Sequence, residues 1–459
     1  MAGSSKGRSV RWDAQRCVNL YPELDEKGVN IAALVGTPGC TLFATIPKTP
    51  YRGHWVYSDT QLFVVYGSGF YEISTAGVVT SRGTLTSSTG RVSMADNGTQ
   101  IMLSDGAGKG YIYTLSGTSF AAIGDADAPT SDNTAYLDQY FIANKQGTFS
   151  YQISALADGT SWVATDITSS DGDPDPITAI RVKDQKLLTF GPSSIESYYD
   201  SGNATFPFDR ISGSLIECGT PAPWTIAQLA SDIIMLGADE DGIGVFLPEG
   251  DRPKRVSPAW LEYLITGYGS VSDATAFTYV ESGHQFYVLT FPSVPITWCY
   301  DKTTDAWHQR QTFGIGRWLA DGHAYFNAAH YVFDATGPYI HTLTDSAYTD
   351  NGVQIQRIRA GRTIAGEDLQ RIPHDKFDVW FEPGIDNASA TAPQAIMRYS
   401  DDGGFTWSNE RWSAMQLRGD YKGRCRWLRN GQARERVYEV TVSDPVKVVM
   451  VAAVINGTD

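Results

Sequence analysis

The chain has 459 residues, of which 42% are hydrophobic and 19% charged, with 45 Gly, 12 Trp, 24 Tyr and 19 Phe. That composition excludes disorder and suits about two or three domains, with strands and tight turns favoured over helices. With 36 Lys+Arg against 51 Asp+Glu, the net charge is −15, which excludes a protein that grips nucleic acid over its whole surface by neutralising phosphates.

Residues 1–8 contain no apolar stretch, so no secretory signal is expected there. The tail carries Gly3-Ser4-Ser5-Lys6-Gly7, a G-x-S-x-G match with no strand before it or helix after it, and reads as a flexible segment rather than a nucleophile turn. Residues 29–35 and 40–44 are strand-like. A terminal strand of this kind can complete the last blade of a ring of sheets and leave no free edge.

From residue 51 a loose repeat begins: a short strand, a polar turn, an apolar strand, a Gly or polar turn, and an aromatic-rich strand. The apolar strands start at 61, 100, 139, 186, 232, 285 and 330. A period of about 40–50 residues in an all-β chain marks β-propeller blades. One unit can be a hairpin outside the ring, so the reading is about six or seven blades. Asp96-Asn97-Gly98 sits between two strands, where a type I′ hairpin wants Asn-Gly. One helix is expected, with Ser257 as N-cap, Pro258 at its first position and residues 259–264 following.

After about residue 346 the rhythm changes. Residues 353–363, 376–382, 395–400, 422–428, 434–442 and 446–455 read as longer strands of a β-sandwich-like domain. The fold class is therefore all-β: residues 1–50 form an arm that supplies a propeller-closing strand, 51–346 the propeller, and 347–459 the sandwich. Residues 361–459 hold 13 Lys+Arg and 14 Asp+Glu, leaving 23 against 37 in residues 1–360. The acidity belongs to the propeller. The run 448–455 is too short to span a bilayer as a helix and suits a buried strand.

Gly106-Ala107-Gly108-Lys109-Gly110 lacks the first Gly and the Ser/Thr of a phosphate loop and reads as a hairpin turn. Asp171, Asp173 and Asp175 have calcium-like spacing, but Pro176 stands where an EF-hand needs Gly and Val182 where it needs Glu, so a solvated acidic loop is favoured. The seven His form no ligand spacing, and no metal, cofactor or catalytic residue is assigned. Cys17, Cys40, Cys218, Cys299 and Cys425 are odd in number and far apart, which favours free thiols and assembly in a reducing cytoplasm. Trp298 and Tyr300 share one strand face and are expected to pack between blades.

Two motifs lie in the second domain. Ser400, Asp402, Gly404, Thr406 and Trp407 fit S-x-D-x-G-x-T-W, the Asp-box of sialidase-like propellers. The carboxylate is expected to cap its own turn and the indole to pack beneath it, a structural role. Arg418, Lys422, Arg424, Arg426, Arg429, Arg434 and Arg436 form a basic stretch. A two-residue turn at Asn430-Gly431 would set Arg426 against Glu435 and Lys422 against Glu439. Such cross-strand pairs are favoured somewhat over a phosphate- or partner-facing patch, and a subunit interface accommodates both.

The run Gly283-His284-Gln285-Phe286-Tyr287-Val288-Leu289-Thr290-Phe291-Pro292, then Thr297-Trp298-Cys299-Tyr300-Asp301 and Trp307-His308, resembles the packaged-DNA stabilisation proteins of short-tailed bacteriophages, the tail hub or nozzle proteins. Asn19-Leu20-Tyr21-Pro22-Glu23, Gly36-Thr37-Pro38-Gly39, Phe190-Gly191-Pro192-Ser193-Ser194-Ile195-Glu196 and Val442-Ser443-Asp444-Pro445-Val446 match in order along nearly the whole chain. The resemblance implies a non-enzymatic virion protein, assembled in the host cytoplasm as a ring of six below the portal-adaptor. There it would extend the DNA channel, hold a needle or plug, neighbour tail fibres or spikes, and pass double-stranded DNA without tight binding. Two other readings compete: a glycan-cleaving propeller marked by the Asp-box, and a glycan-binding module with exposed aromatics.

Overall fold

The computed structural model describes residues 4–6, 14–24, 32–170, 172–173, 175–203, 205–249, 252–385, 387–417, 419–421 and 423–456. Seven four-stranded antiparallel sheets form the propeller. The first six blades span residues 51–84, 93–122, 134–169, 179–210, 227–255 and 275–309. The seventh consists of Ala320–Phe326, Ala329–Asp334 and Tyr339–Thr344, with Gly39–Thr45 as its outer strand.

The blades pack because their second strands are apolar on both faces. In Gln61–Tyr66, Leu62, Val64 and Tyr66 join Tyr331, Phe333 and Ile340 of the seventh blade. Phe63 and Val65 point the other way, into a core with Ile101, Leu103 and Tyr113 of the second. A period-2 strand with no polar side is what a sheet between two sheets requires. Trp298 and Tyr300 lie in the core between the fifth and sixth blades, which the helix Ala259–Thr266 covers with Leu261 and Ile265.

Three local expectations are corrected. The loop at Asn97-Gly98 is not a two-residue type I′ turn: Gly98 has φ +85° but Asn97 does not have a positive φ. The Asn97 carboxamide oxygen instead accepts from the Thr99 and Gln100 N–H groups, making a longer connection. The helix N-cap is Pro258, without a side-chain cap bond. The Ser257 hydroxyl lies one residue too early, donating to Glu262 and accepting from the Val245 N–H. Residues 4–6 are not a free tail, because Ser5–Lys6 pairs with Ala14–Val18, and the Ser4 hydroxyl accepts from the Cys17 N–H at 2.8 Å and donates to its carbonyl.

The second body is a sandwich of two sheets. One runs Leu20–Leu24, Ala32–Gly36, Val449–Ile455, Lys376–Phe381 and Cys425–Leu428. The other runs Ala14–Val18, Arg357–Ala360, Glu435–Val442, Gln394–Ser400 and Arg411–Ala414. Phe377, Val379, Trp427 and Met450 from the first sheet meet Met397, Tyr438 and Val440 from the second. The N-terminal arm thus serves both bodies: residues 14–36 supply sandwich strands, with Tyr21 packed on His284 and Phe286 of the sixth blade, while Gly39–Thr45 is a strand of the propeller. Asn19, at φ +55°, is the pivot. Its carboxamide donates to the Gln311 and Gln356 carbonyls and accepts from the Gln311 N–H, tying propeller to sandwich.

Val18 pairs in parallel with Gln309, the end of the outermost strand of the sixth blade. The sandwich therefore continues a blade outward from the propeller rim. The axial cavity, lined by the innermost strands, is built by the propeller alone.

Candidate assembly surface on the sandwich

The hairpin between Gln394–Ser400 and Arg411–Ala414 is organised by Asp402. Its carboxylate accepts from the Ser400 hydroxyl at 2.6 Å, the Thr406 hydroxyl at 2.6 Å, and the Phe405 and Thr406 N–H groups. These bonds, led by that from Ser400, hold the carboxyl well below the usual range. Gly404 donates its N–H to the Ser400 oxygen. Trp407 packs against Ala14, Ala360 and Val437, with the Arg398 guanidinium over its ring. Every Asp402 bond is to its own hairpin, which is the chemistry of a turn.

The basic stretch divides into dissimilar parts. Arg418 and Lys422 lie outside the described residues. Arg424 and Arg426 converge on Asp378, Arg426 with two 2.8 Å bonds and Arg424 with one contact of 3.0 Å. Arg436 is buried, forks onto Asp401 at 2.6 and 2.7 Å, donates to the Asn430 carbonyl and stacks over Tyr399. Arg429 and Arg434 are exposed.

The expected register, with Arg426 opposite Glu435, is not adopted, and Lys422, expected opposite Glu439, lies outside the described residues. Cys425–Leu428 pairs with Lys376–Phe381 in the other sheet, while Glu435–Val442 pairs with Gln394–Ser400 and Arg357–Ala360. Glu439 instead meets Arg398 and Arg16. The chain crosses between sheets at residues 429–434, because Arg429 adopts φ +57° and Asn430 is held by His374, Trp427 and Arg411.

That crossing closes one side of the sandwich. The edge strands Arg411–Ala414 and Cys425–Leu428 face each other across the two sheets. Arg411 donates to the Leu428 carbonyl at 2.6 Å, the Trp427 indole to the Arg411 carbonyl at 2.9 Å, and the Arg426 N–H to the Ser413 hydroxyl. Edges capped this way do not invite strand addition. What the sandwich offers a partner is side chains: Phe405, Trp412, Tyr421 and Leu428 are each at least half exposed, and Arg429 and Arg434 are exposed as well. Aromatic and Arg side chains are the enriched residues of protein interfaces.

Sequence reasoning missed the junction between the two bodies. Arg310 is buried, donates to the Tyr279 hydroxyl and the Pro38 carbonyl, and lies 3.4 Å over the Trp318 ring. Asp350 accepts from the Thr312 hydroxyl at 2.7 Å, and burial pushes its carboxyl up. Arg357, from the sandwich, is buried beside them, and desolvation lowers its guanidinium to about 10. These residues are far apart in the chain, so no spacing announces them.

All five cysteines are buried and free, with burial pushing Cys17 up to about 11 and Cys218, Cys299 and Cys425 up to about 12. Among the described residues no three His, Cys, Asp or Glu come together as metal ligands, and no helix is long and apolar enough to cross a membrane.

Residues 1–348 match the family description "Bacteriophage P22 Gp10, beta-propeller" and residues 361–458 match "Bacteriophage P22 Gp10, beta-sandwich". The chain belongs to the bacteriophage P22 Gp10 family. Gp10 proteins are the packaged-DNA stabilisation family, so this is a structural protein of the phage virion tail. No curated protein sequence matches the chain. Similar solved structures include the RRP9 WD40 repeats (9% identity, TM-score 0.40, covering 67% of this chain and 99% of that one). The WD40 β-propeller domain of Doa1 is another (11% identity, TM-score 0.41, covering 67% and 97%).

Proposed function

We propose that this Gp10-family chain assembles as a ring of six copies below the portal-adaptor, where it extends the DNA channel and retains packaged DNA until ejection. The observation that carries this reading is the pairing of the two family domains as one block. A propeller whose sixth blade runs on into the sandwich, locked by Asn19 and Arg310, holds two faces at a set angle. Ring closure requires a fixed angle between two unlike faces.

The charge division fits that geometry. An acidic propeller paired with a nearly balanced sandwich that displays Arg429, Arg434 and exposed aromatics gives complementary faces for neighbouring copies. An acidic wall beside moving DNA also forms few phosphate contacts, which lets the duplex slide. The portal-adaptor, a distal needle or plug, and fibres or spikes are the partners of this assembly, which forms in the host cytoplasm.

The test is DNA retention by heads of the source phage that lack this protein, with and without purified protein. Addition should suppress leakage and add a ring of density at the portal vertex, with a neutral to acidic lumen. Unchanged leakage with folded protein and all attachment partners present, or a strongly basic lumen, would overturn the proposal.

A further inference from the structure

The axial cavity of the propeller holds about 470 Å³ and is walled by the first strands of all seven blades. Its charges are unequally matched. Asp321 pairs with Arg91 at 2.7 Å and accepts from the Thr275 hydroxyl. Asp96 accepts from the Trp55 indole at 2.7 Å and from the Gly98 N–H. Arg52 is buried and directs its donors at the Gly67, Ser87 and Gly90 carbonyls and the Ser87 hydroxyl.

Arg181, on the fourth blade, differs from all of these. Its Nη1 donates to Asn133 Oδ1 at 2.8 Å and to the Ile180 carbonyl at 2.7 Å. Nε and Nη2 have no partner among the described residues, and no carboxylate pairs with the group. Two bonds from one nitrogen hold the guanidinium in place while its other edge stays unused. Desolvation, with no acid to offset it, lowers the group to about 10, so it is charged at neutral pH. A held, half-buried guanidinium with a free edge is matched to the two oxygens of a carboxylate or phosphate. Around it, Tyr136 and Trp224 supply aromatic wall and Thr134 and Gln228 supply polar groups. A concavity of this volume, with aromatic wall and convergent polar groups, is the form of a small-ligand site.

We propose that the axial cavity binds a small molecule through an oxyanion, carboxylate or phosphate, held by the free edge of Arg181, with the rest of the ligand against Trp224 and Tyr136. This site is independent of the tail reading: it needs neither a ring nor DNA.

The experiment uses the full chain, with citrate and inorganic phosphate as probes and chloride at matched ionic strength as the control. Titration calorimetry should show saturable binding of at least one probe, weakened tenfold or more by Arg181→Gln. Phenylglyoxal modification of the unsubstituted chain, read by peptide mass spectrometry, should slow severalfold at Arg181 when that probe is present and stay unchanged at the exposed Arg429. This second readout decides the matter if Arg181→Gln does not fold. Protection by both probes supports an oxyanion site of either chemistry, by citrate alone a carboxylate site, and by phosphate alone a phosphate site. Binding that survives Arg181→Gln, or no protection of Arg181 by either probe at saturating concentration, overturns the proposal.

Discussion

The propeller and the sandwich are both antiparallel β structures, yet they are held by different means. Six of the seven blades are sets of consecutive strands, the seventh borrowing Gly39–Thr45, and neighbouring blades are joined by buried side chains such as Phe63, Val64 and Phe70. The sandwich draws strands from residues 14–36 and from residues after 356, and pairs charged groups between neighbouring strands of each sheet. Glu439 meets Arg398 and Arg16, Asp378 meets Arg424 and Arg426, and Arg436 meets Asp401. Short-range pairing lets the propeller rely on apolar packing, whereas in the sandwich paired charges select among distant partners. Mutation and pH should therefore act differently on the two bodies.

The largest effect is expected from Phe63→Ala, which empties a fully buried site between the first and second blades. It should cost the propeller about 3–5 kcal/mol, read as a lower midpoint in urea followed by intrinsic fluorescence. A midpoint within error of the unsubstituted chain would break the claim that interblade packing dominates.

Removing a sandwich carboxylate should cost less. Glu439→Gln leaves Arg398 and Arg16 without their charged partner, but both side chains are more than a third exposed, at 35% and 37%. The expected loss is about 2 kcal/mol, below that of a fully buried pair. High salt should narrow the difference between Glu439→Gln and the unsubstituted chain, while leaving the Phe63→Ala difference intact.

Acid should act first on the propeller. Burial pushes His54 down to about 4 and His308 and His323 down to about 3. These imidazoles are neutral when folded but take protons near pH 6.5 when unfolded. Their contribution is complete above that pH and is lost as pH falls from 6.5 toward 4 and 3. His284 works oppositely: its bond to Asp301 raises it, so its contribution is present below pH 6.5 and fades as pH rises through its folded value. Burial lowers His330 as well, so four imidazoles oppose His284 and Glu281, whose carboxyl burial pushes up to about 7. The propeller melting temperature should therefore fall between pH 6.5 and 4. The sandwich, with His374 alone, should follow more weakly. Equal slopes for the two transitions would erase the distinction.

The smallest effect is local. Ser400→Ala removes the hydroxyl that donates to Asp402 and accepts from the Gly404 N–H, and should cost about 1 kcal/mol. Calorimetry should place that loss in the sandwich transition alone.

The propeller was legible because its signals are local. Runs such as Leu62-Phe63-Val64-Val65-Tyr66, closed by Gly67, carry both the strand and the turn, and repetition supplied the rest. The Asp-box was equally legible, since its partners lie within a few residues of Asp402. The basic stretch was misread at the step where a turn had to be converted into a sheet neighbour. Arg181 and the Arg310–Asp350–Arg357 junction carry no signal in spacing, because burial and the absence of a counter-charge are properties of the assembled molecule.

Alternation and turn chemistry determined from the sequence alone that this is an all-β chain of repeated blades followed by a second β body, with an acidic first part and a more balanced second. Only the tertiary structure decided which strand lies beside which. Cys425 and Trp427 are buried and Arg424 and Arg426 turned outward whether their strand borders residues 376–381 or 435–442, since a period of two specifies the buried face and not the neighbour. The same holds for residues 14–36, whose apolar faces suit either body. Their place in the sandwich is set by the pivot at Asn19, whose three bonds form only when both bodies are already in contact.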